Sequence, residues 1–355
     1  MLAIDNVAED ERIRDLYERM LKQFNVTIQR EIMSGSSLMV SYVGSRGNHV
    51  GSVRSVNIKK ATILGDGTQC FNYTASGGNP SCPNGATTLR NIKLNGDSRA
   101  LYDAQSFYNS LQLGLNQRLK QGLQLALSYS YSKLIDDGVD RFDSTGSPGS
   151  SDPATQDPDN PKDKRGLSIL DLRHNLVINF LYEIPTPGFE NRIAKGLFGG
   201  WQANGIMRRT SGKPFSAAVG FGSNAGLNDT GNTRPNLKPG RSNNPVLGGP
   251  DKYFDPTAFE VQTRGFFGNA GAFTLIGPGS VSLDLGLVKE LPLGEQRRLQ
   301  FRTEFFDLLN HPNFVRPNAT IQTSRTAVYP NPQAGRIADT VNTARQIQFA
   351  LKVEF

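Results

Sequence analysis

The sequence has little of what soluble enzymes and helical membrane proteins are usually built from. Among 355 residues there are two cysteines, three histidines and one tryptophan. No stretch approaches the run of about 20 apolar residues that a membrane-crossing helix needs, which excludes a helical membrane protein. A membrane barrel stays open, because barrel strands place only every second residue against lipid and look average in bulk. His49, His174 and His311 stand far apart, and no His, Cys and acidic side chains fall at metal-ligand spacing. Neither a nucleophile elbow nor a phosphate-cradling loop is present; GSRGNHVG has the glycines but lacks the Lys-Ser/Thr that follows them in such loops. The chain is therefore expected to be no enzyme and to need no cofactor. Its net charge is +7, yet the basic residues are scattered. Their densest spots are the pairs Arg208-Arg209 and Arg297-Arg298, with no aromatic ladder beside them. That pattern describes a basic surface without a nucleic-acid partner.

What is abundant is punctuation. Thirty-seven glycines and 20 prolines favour many short elements joined by turns. Residues 8–22 place Ile13, Leu16, Tyr17, Met20 and Leu21 at helical spacing, so 1–22 is expected to be a short helical segment. From residue 23 the period becomes two. Phe24, Val26 and Ile28 alternate with polar residues, and Leu38, Val40 and Tyr42 follow a Ser/Gly turn. Leu111, Leu113, Leu115 and Leu119 share one parity; Gln121-Gly122 turns the chain; Leu123, Leu125, Leu127, Tyr129 and Tyr131 then share the same face.

The pattern recurs in Leu176, Ile178, Phe180, Tyr182 and Ile184, and again in Trp201, Ala203 and Met207. Val281, Leu283, Leu285 and Leu287 lead through Pro292-Leu293-Gly294-Glu295 into Leu299, Phe301 and Phe305. The chain ends on Ile347, Phe349, Leu351, Val353 and Phe355. The clearest arms run past the roughly 9–11 residues that span a bilayer as a tilted strand, whereas strands of soluble sandwiches average about 5–6. Aromatics near strand ends fit the interfacial girdles of a membrane barrel. Turns near Gln121 and Gly294 are short, while 136–168 and 214–278 are long and polar, the asymmetry of barrels whose long loops face outside. The expected fold is all-β, an antiparallel up-and-down transmembrane β-barrel, or a partial barrel or curved sheet, of about ten to twelve strands over 23–355.

Several blocks carry a resemblance. FNVTIQREI, SLMVSYVGSRGNHV, SFYNSLQLGLNQRLKQGLQLALSYSYSKLIDD, DLRHNLVINFLYEIP, GGWQANGIMRRTSGKPFS and FRTEFFDLLNHPNF resemble the final strands of TonB-dependent transporters of the Oar-like type. The resemblance spans nearly the whole chain from about residue 23. It implies an outer-membrane protein whose complete form takes up a large ligand, with TonB reached through an N-terminal part. The C-terminus resembles the signal read by the barrel-assembly machinery: polar Gln348, small Ala350, apolar Phe349, Leu351 and Val353 between them, and terminal Phe355. Ala350 stands where glycine is usual and Val353 where an aromatic is usual. No signal peptide, plug domain or TonB-contacting segment matches the N-terminus. About ten to twelve strands also fall short of the 22 of plugged barrels. The expectation is an N-terminally truncated sequence; the alternatives are a self-contained passive porin or surface-binding barrel and, more weakly, a soluble β-sandwich adhesin.

Other residues carry two readings each. Cys70 and Cys82 bracket a Gly/Asn/Pro-rich stretch, as a loop disulfide or as two free thiols. Asp136, Asp137, Asp140, Asp143, Asp152, Asp157, Asp159 and Asp163 suit a solvated, mobile loop better than calcium, since the EF-hand spacing is absent. Arg302 with Glu304, and Lys352 with Glu354, share the inward parity of their strands and read as structural lumen charges. Tyr253-Phe254 and Phe266-Phe267 would either touch a ligand or anchor a loop by packing.

Overall fold

In a computed structural model the chain is described except for residues 1–20, 56, 58–60, 72–81, 83–89, 92, 94–97, 121, 138–155, 158, 187, 189, 221–233, 264 and 295–296. The N-terminal helix expected before residue 21, and Asp140, Asp143 and Asp152, lie outside the described residues. Leu21 and Lys22, assigned to that helix above, belong instead to the first strand. Their strand partners Gly47 and Arg46 extend the ladder past the point where the sequence changes period.

Nine long strands form one antiparallel sheet: β1 Leu21–Met33, β2 Ser36–Ser55, β3 Ser98–Lys120, β4 Leu123–Asp136, β5 His174–Ile184, β6 Trp201–Thr210, β7 Ser280–Pro292, β8 Arg298–Phe306 and β9 Gln346–Glu354. A tenth, two-residue piece, Gly166–Leu167, pairs with the end of β4. Every long strand pairs with its sequence neighbour, in the order β1 to β9. This is an up-and-down meander, and the expected all-β, antiparallel architecture is what the chain adopts. No pairing joins β9 back to β1 among the described residues, so the sheet is open.

The register puts the apolar parity of each strand on one common face. Ile28 lies opposite Val40, Val40 opposite Leu113, Leu113 opposite Tyr129, and Tyr129 opposite Leu176. On the far side Met207 meets Leu283, Leu285 meets Phe305, and Phe305 meets Ile347. A one-residue slip anywhere would turn this continuous face inside out. Phe180 covers Gly205 directly across the ladder, where a Cβ would meet the ring at 2.7 Å. Phe24 covers Gly44 in the same way. A missing side chain is thus filled by the cross-strand ring.

The connections alternate strictly. Those at 34–35, 121–122 and 293–297 are short, the first two using Gly35 and Gly122 at φ +79° and +78°. Glycine takes this left-handed turn geometry without steric cost. The connection 185–200 carries one short helix, α1 Arg192–Phe198, capped by the Asn191 side chain. The connections 56–97, 137–173, 211–279 and 307–345 are long and all leave the opposite end of the sheet. The fourth of these was not singled out from the sequence, and the first only for its two cysteines.

Candidate functional site

The long connections form a packed cap. Phe215, Val219, Phe254, Phe259, Leu275 and Ile321 are fully buried together, with Ala217, Ala258, Ala270 and Ala319 between them. Each large side chain contributes about 1.5–3 kcal/mol by leaving water. Small ladders hold the segments in register: Pro214–Phe215 with Leu275–Ile276, Ala218–Val219 in parallel with Thr320–Gln322, and Asn236–Leu237 with Phe259–Glu260. The 214–278 segment was expected to be a polar external loop. Its apolar residues are spaced for packing against one another, and the fold buries them.

Side chains then stitch all four connections together. Phe71 of the first packs edge-on against Phe267 of the third at 5.1 Å, and its amide donates to the Gly265 carbonyl at 2.8 Å. Cys70 and Cys82 are joined as a disulfide, their Cα atoms 5.8 Å apart and both residues buried. Arg90 bridges the first connection to Asp159 of the second. The guanidinium of Arg234, buried in the third, pairs with Asp163 and donates to the Ala270 carbonyl, while its amide donates to Gln156 Oε1. The Tyr329 hydroxyl of the fourth donates to the Phe259 carbonyl of the third.

Most of the described aspartates expected in a solvated loop are instead held in the cap, although Asp159 stays exposed. Asp136, Asp137 and Asp157 are buried, and Asp159 and Asp163 hold arginines. Burial pushes the Asp157 carboxyl above the usual carboxylate range, with the negative charges of Asp159 and Asp163 adding to the effect. Asp255 behaves oppositely. Burial raises it, but hydrogen bonds from Thr257 and the charge of Arg241 prevail and hold it low. Among the described residues no group of three or more His, Cys, Asp or Glu stands where it could hold a metal ion.

The aromatic loop residues resolve the same way. Phe254 is a core anchor and Phe267 packs on Phe71. The C-terminal residues lie on the edge strand β9. Gln348 and Ala350 sit opposite Glu304 and Arg302 on the inner parity, while Phe349 stacks on Phe301 on the outer one, 6.3 Å apart. The inner-face charges pair within their strands, Arg302 with Glu304 at 3.5 Å and Lys352 with Glu354 at 2.7 Å. The inner face is otherwise rich in amides and hydroxyls such as Gln112, Gln124, Ser128 and Asn179. Such a surface binds water and polar solutes rather than lipid.

An apolar outer face, a polar inner face, short turns at one end and a folded cap at the other define an outer-membrane β-barrel protein. The chain belongs to the outer membrane beta barrel domain family, whose model matches residues 10–348. Among solved structures it is similar to the outer membrane transporter YddB from Escherichia coli, at 9% identity and a TM-score of 0.39. That likeness covers 94% of this chain and 32% of the transporter, so the chain spans about a third of its length. A comparison with curated proteins found no match.

Proposed function

We propose that this chain is the C-terminal part of the barrel wall of a TonB-dependent outer-membrane receptor that takes up a large ligand. The observation that carries this reading is the open sheet. Among the described residues β1 and β9 each leave one edge of backbone donors and acceptors unpaired, and each unpaired group costs several kcal/mol in hydrocarbon. In this reading further strands cover both edges, and the complete barrel is larger than nine strands. The strand-by-strand resemblance to Oar-like transporters supplies the class. In this reading the wall acts as a conduit and not as a catalyst. Contact with TonB runs through a part of the receptor N-terminal to these residues, and the segment from Gln348 to Phe355 is what the barrel-assembly machinery reads.

The test is an immunoblot of the outer-membrane fraction with an antibody to the C-terminal segment, followed by binding of the purified species to the periplasmic domain of TonB. A band far above 38.8 kDa that binds TonB is expected. A membrane band at 38.8 kDa that admits small sugars into liposomes would replace this reading with a passive porin.

A further inference from the structure

The adjacent arginines Arg208 and Arg209 are one of the two basic pairs singled out in the sequence, and the transport reading leaves one of them unexplained. On β6 they point to opposite faces. Arg208, opposite Val177 and Ser282, is on the inner parity, where a charge meets water. Arg209 lies between Leu176 and Val281 on the apolar, lipid-facing row. It is exposed, and its side chain makes no hydrogen bond or ion pair with the described residues.

Its height explains how it is tolerated. Trp201 starts the same row at the short-turn end of β6. Arg209 is eight residues further on, roughly 26 Å along the strand. At a tilt near 40° that is about 20 Å along the membrane normal, close to the far border of an apolar band about 25 Å tall. The next residues enter the capped, external side, so Arg209 stands at the outer leaflet's headgroup level.

A recess of about 760 Å³ opens there, and its polarity changes along the strand axis. Met207 lines it toward the membrane centre, Leu176 and Val281 flank Arg209 at its own level, and His174 and His311 line it toward the outside. His174 is held in place. Its Nδ1 shares a hydrogen bond of 2.8 Å with the Tyr129 hydroxyl, and its ring lies 5.1 Å from that of Tyr131. Its backbone is tied to Ser211 in both directions, by His174 N to Ser211 Oγ and Ser211 N to the His174 carbonyl.

We infer that this recess is a binding site for a phosphorylated lipid of the outer leaflet, with the phosphate on Arg209 between His174 and His311 and an acyl chain along Leu176, Met207 and Val281. Two arguments select this occupant. The recess is continuous with the lipid-facing wall, so a lipid is already present there. A guanidinium facing lipid needs an anion, and a phosphate headgroup is the one at that depth. The site does not depend on whether the barrel is energised.

The test uses the intact outer-membrane protein in neutral detergent, with bound lipid counted by native mass spectrometry. Bis-phosphorylated lipid A is the probe, phosphatidylcholine the neutral comparison and inorganic phosphate the competitor. Wild type should retain lipid A in preference to phosphatidylcholine, undisturbed by millimolar inorganic phosphate. Arg209→Gln should weaken it by about tenfold or more, as loss of a charge-assisted hydrogen bond implies. Arg209→Lys should keep most of the binding, and Arg208→Gln all of it. His311→Gln, in a connection and not in the wall, should weaken binding severalfold and covers the case in which Arg209→Gln fails to assemble. Unchanged binding in Arg209→Gln or His311→Gln, equal loss in Arg208→Gln, or displacement by inorganic phosphate would each overturn the assignment.

Discussion

At the residue scale, parity decides the meaning of nearly every side chain in the wall. Leu127 and Gln124 lie three residues apart on β4, facing lipid and lumen respectively. Leu127→Arg should destabilise the assembled protein by about 2–4 kcal/mol if it lies near the midplane depth, measured by urea titration in lipid vesicles. Gln124→Arg should be close to neutral, and equal costs would count against the lipid-facing assignment. Gly205 sits under Phe180, so Gly205→Val would force the ring aside at a cost of about 1–3 kcal/mol. In the cap, the folded-state pKa of Asp157 is raised, so the folded state binds more protons than the unfolded one between the two values. Its ionisation therefore works against the cap as pH rises through that window. Asp157→Asn should stabilise the cap at neutral pH, and thermal melts should show the gain shrinking as pH falls below the usual carboxylate range.

At the element scale, strands were legible and connections were not. A strand announces itself through period two, because each residue's face follows from its neighbour's. The rows Leu111–Leu115 and Leu123–Tyr131 therefore translated directly into β3 and β4. The cap obeys no period. Phe215, Phe254, Phe259 and Ile321 come from distant points of the chain and meet only because the third and fourth connections leave the same end of the sheet. The Pro- and Asn-rich stretch 311–333 was the available signal for the fourth connection, yet composition alone marks a loop without saying that it packs. Arg234 is the clearest test of cap integrity. Replacing it with Ala leaves Asp163 and the Ala270 carbonyl without their guanidinium partner, while the backbone bond to Gln156 remains. The loss of a buried pair costs about 3–5 kcal/mol, less here because Asp163 is partly exposed. Limited proteolysis should show cleavage within the third connection, while the wall stays resistant.

At the scale of the whole molecule, wall and cap are separable in stability. The wall rests on inter-strand hydrogen bonds and lipid contact; the cap rests on a small water-excluding core, stitched arginines and the Cys70–Cys82 bridge. Closing that ring is worth about 3 kcal/mol in the chain-entropy account. Reduction, or Cys70→Ser with Cys82→Ser, should speed proteolysis of the first connection and leave the heat-modifiable gel shift of the assembled barrel in place. Loss of that gel shift would mean that cap and wall fold as one unit.

The sequence by itself determined the fold class, the strand faces and the short turns near Gln121 and Gly294. All of these follow from local rules of parity and turn chemistry that act over a few residues. Only the tertiary structure decided that the sheet is open, that the external connections share a core, that the aspartates are tied down, and that Arg208 and Arg209 serve opposite faces beside a lipid-sized recess. Those features depend on residues brought together from tens to hundreds of positions apart, and no spacing along the chain encodes which distant partner a buried side chain will meet.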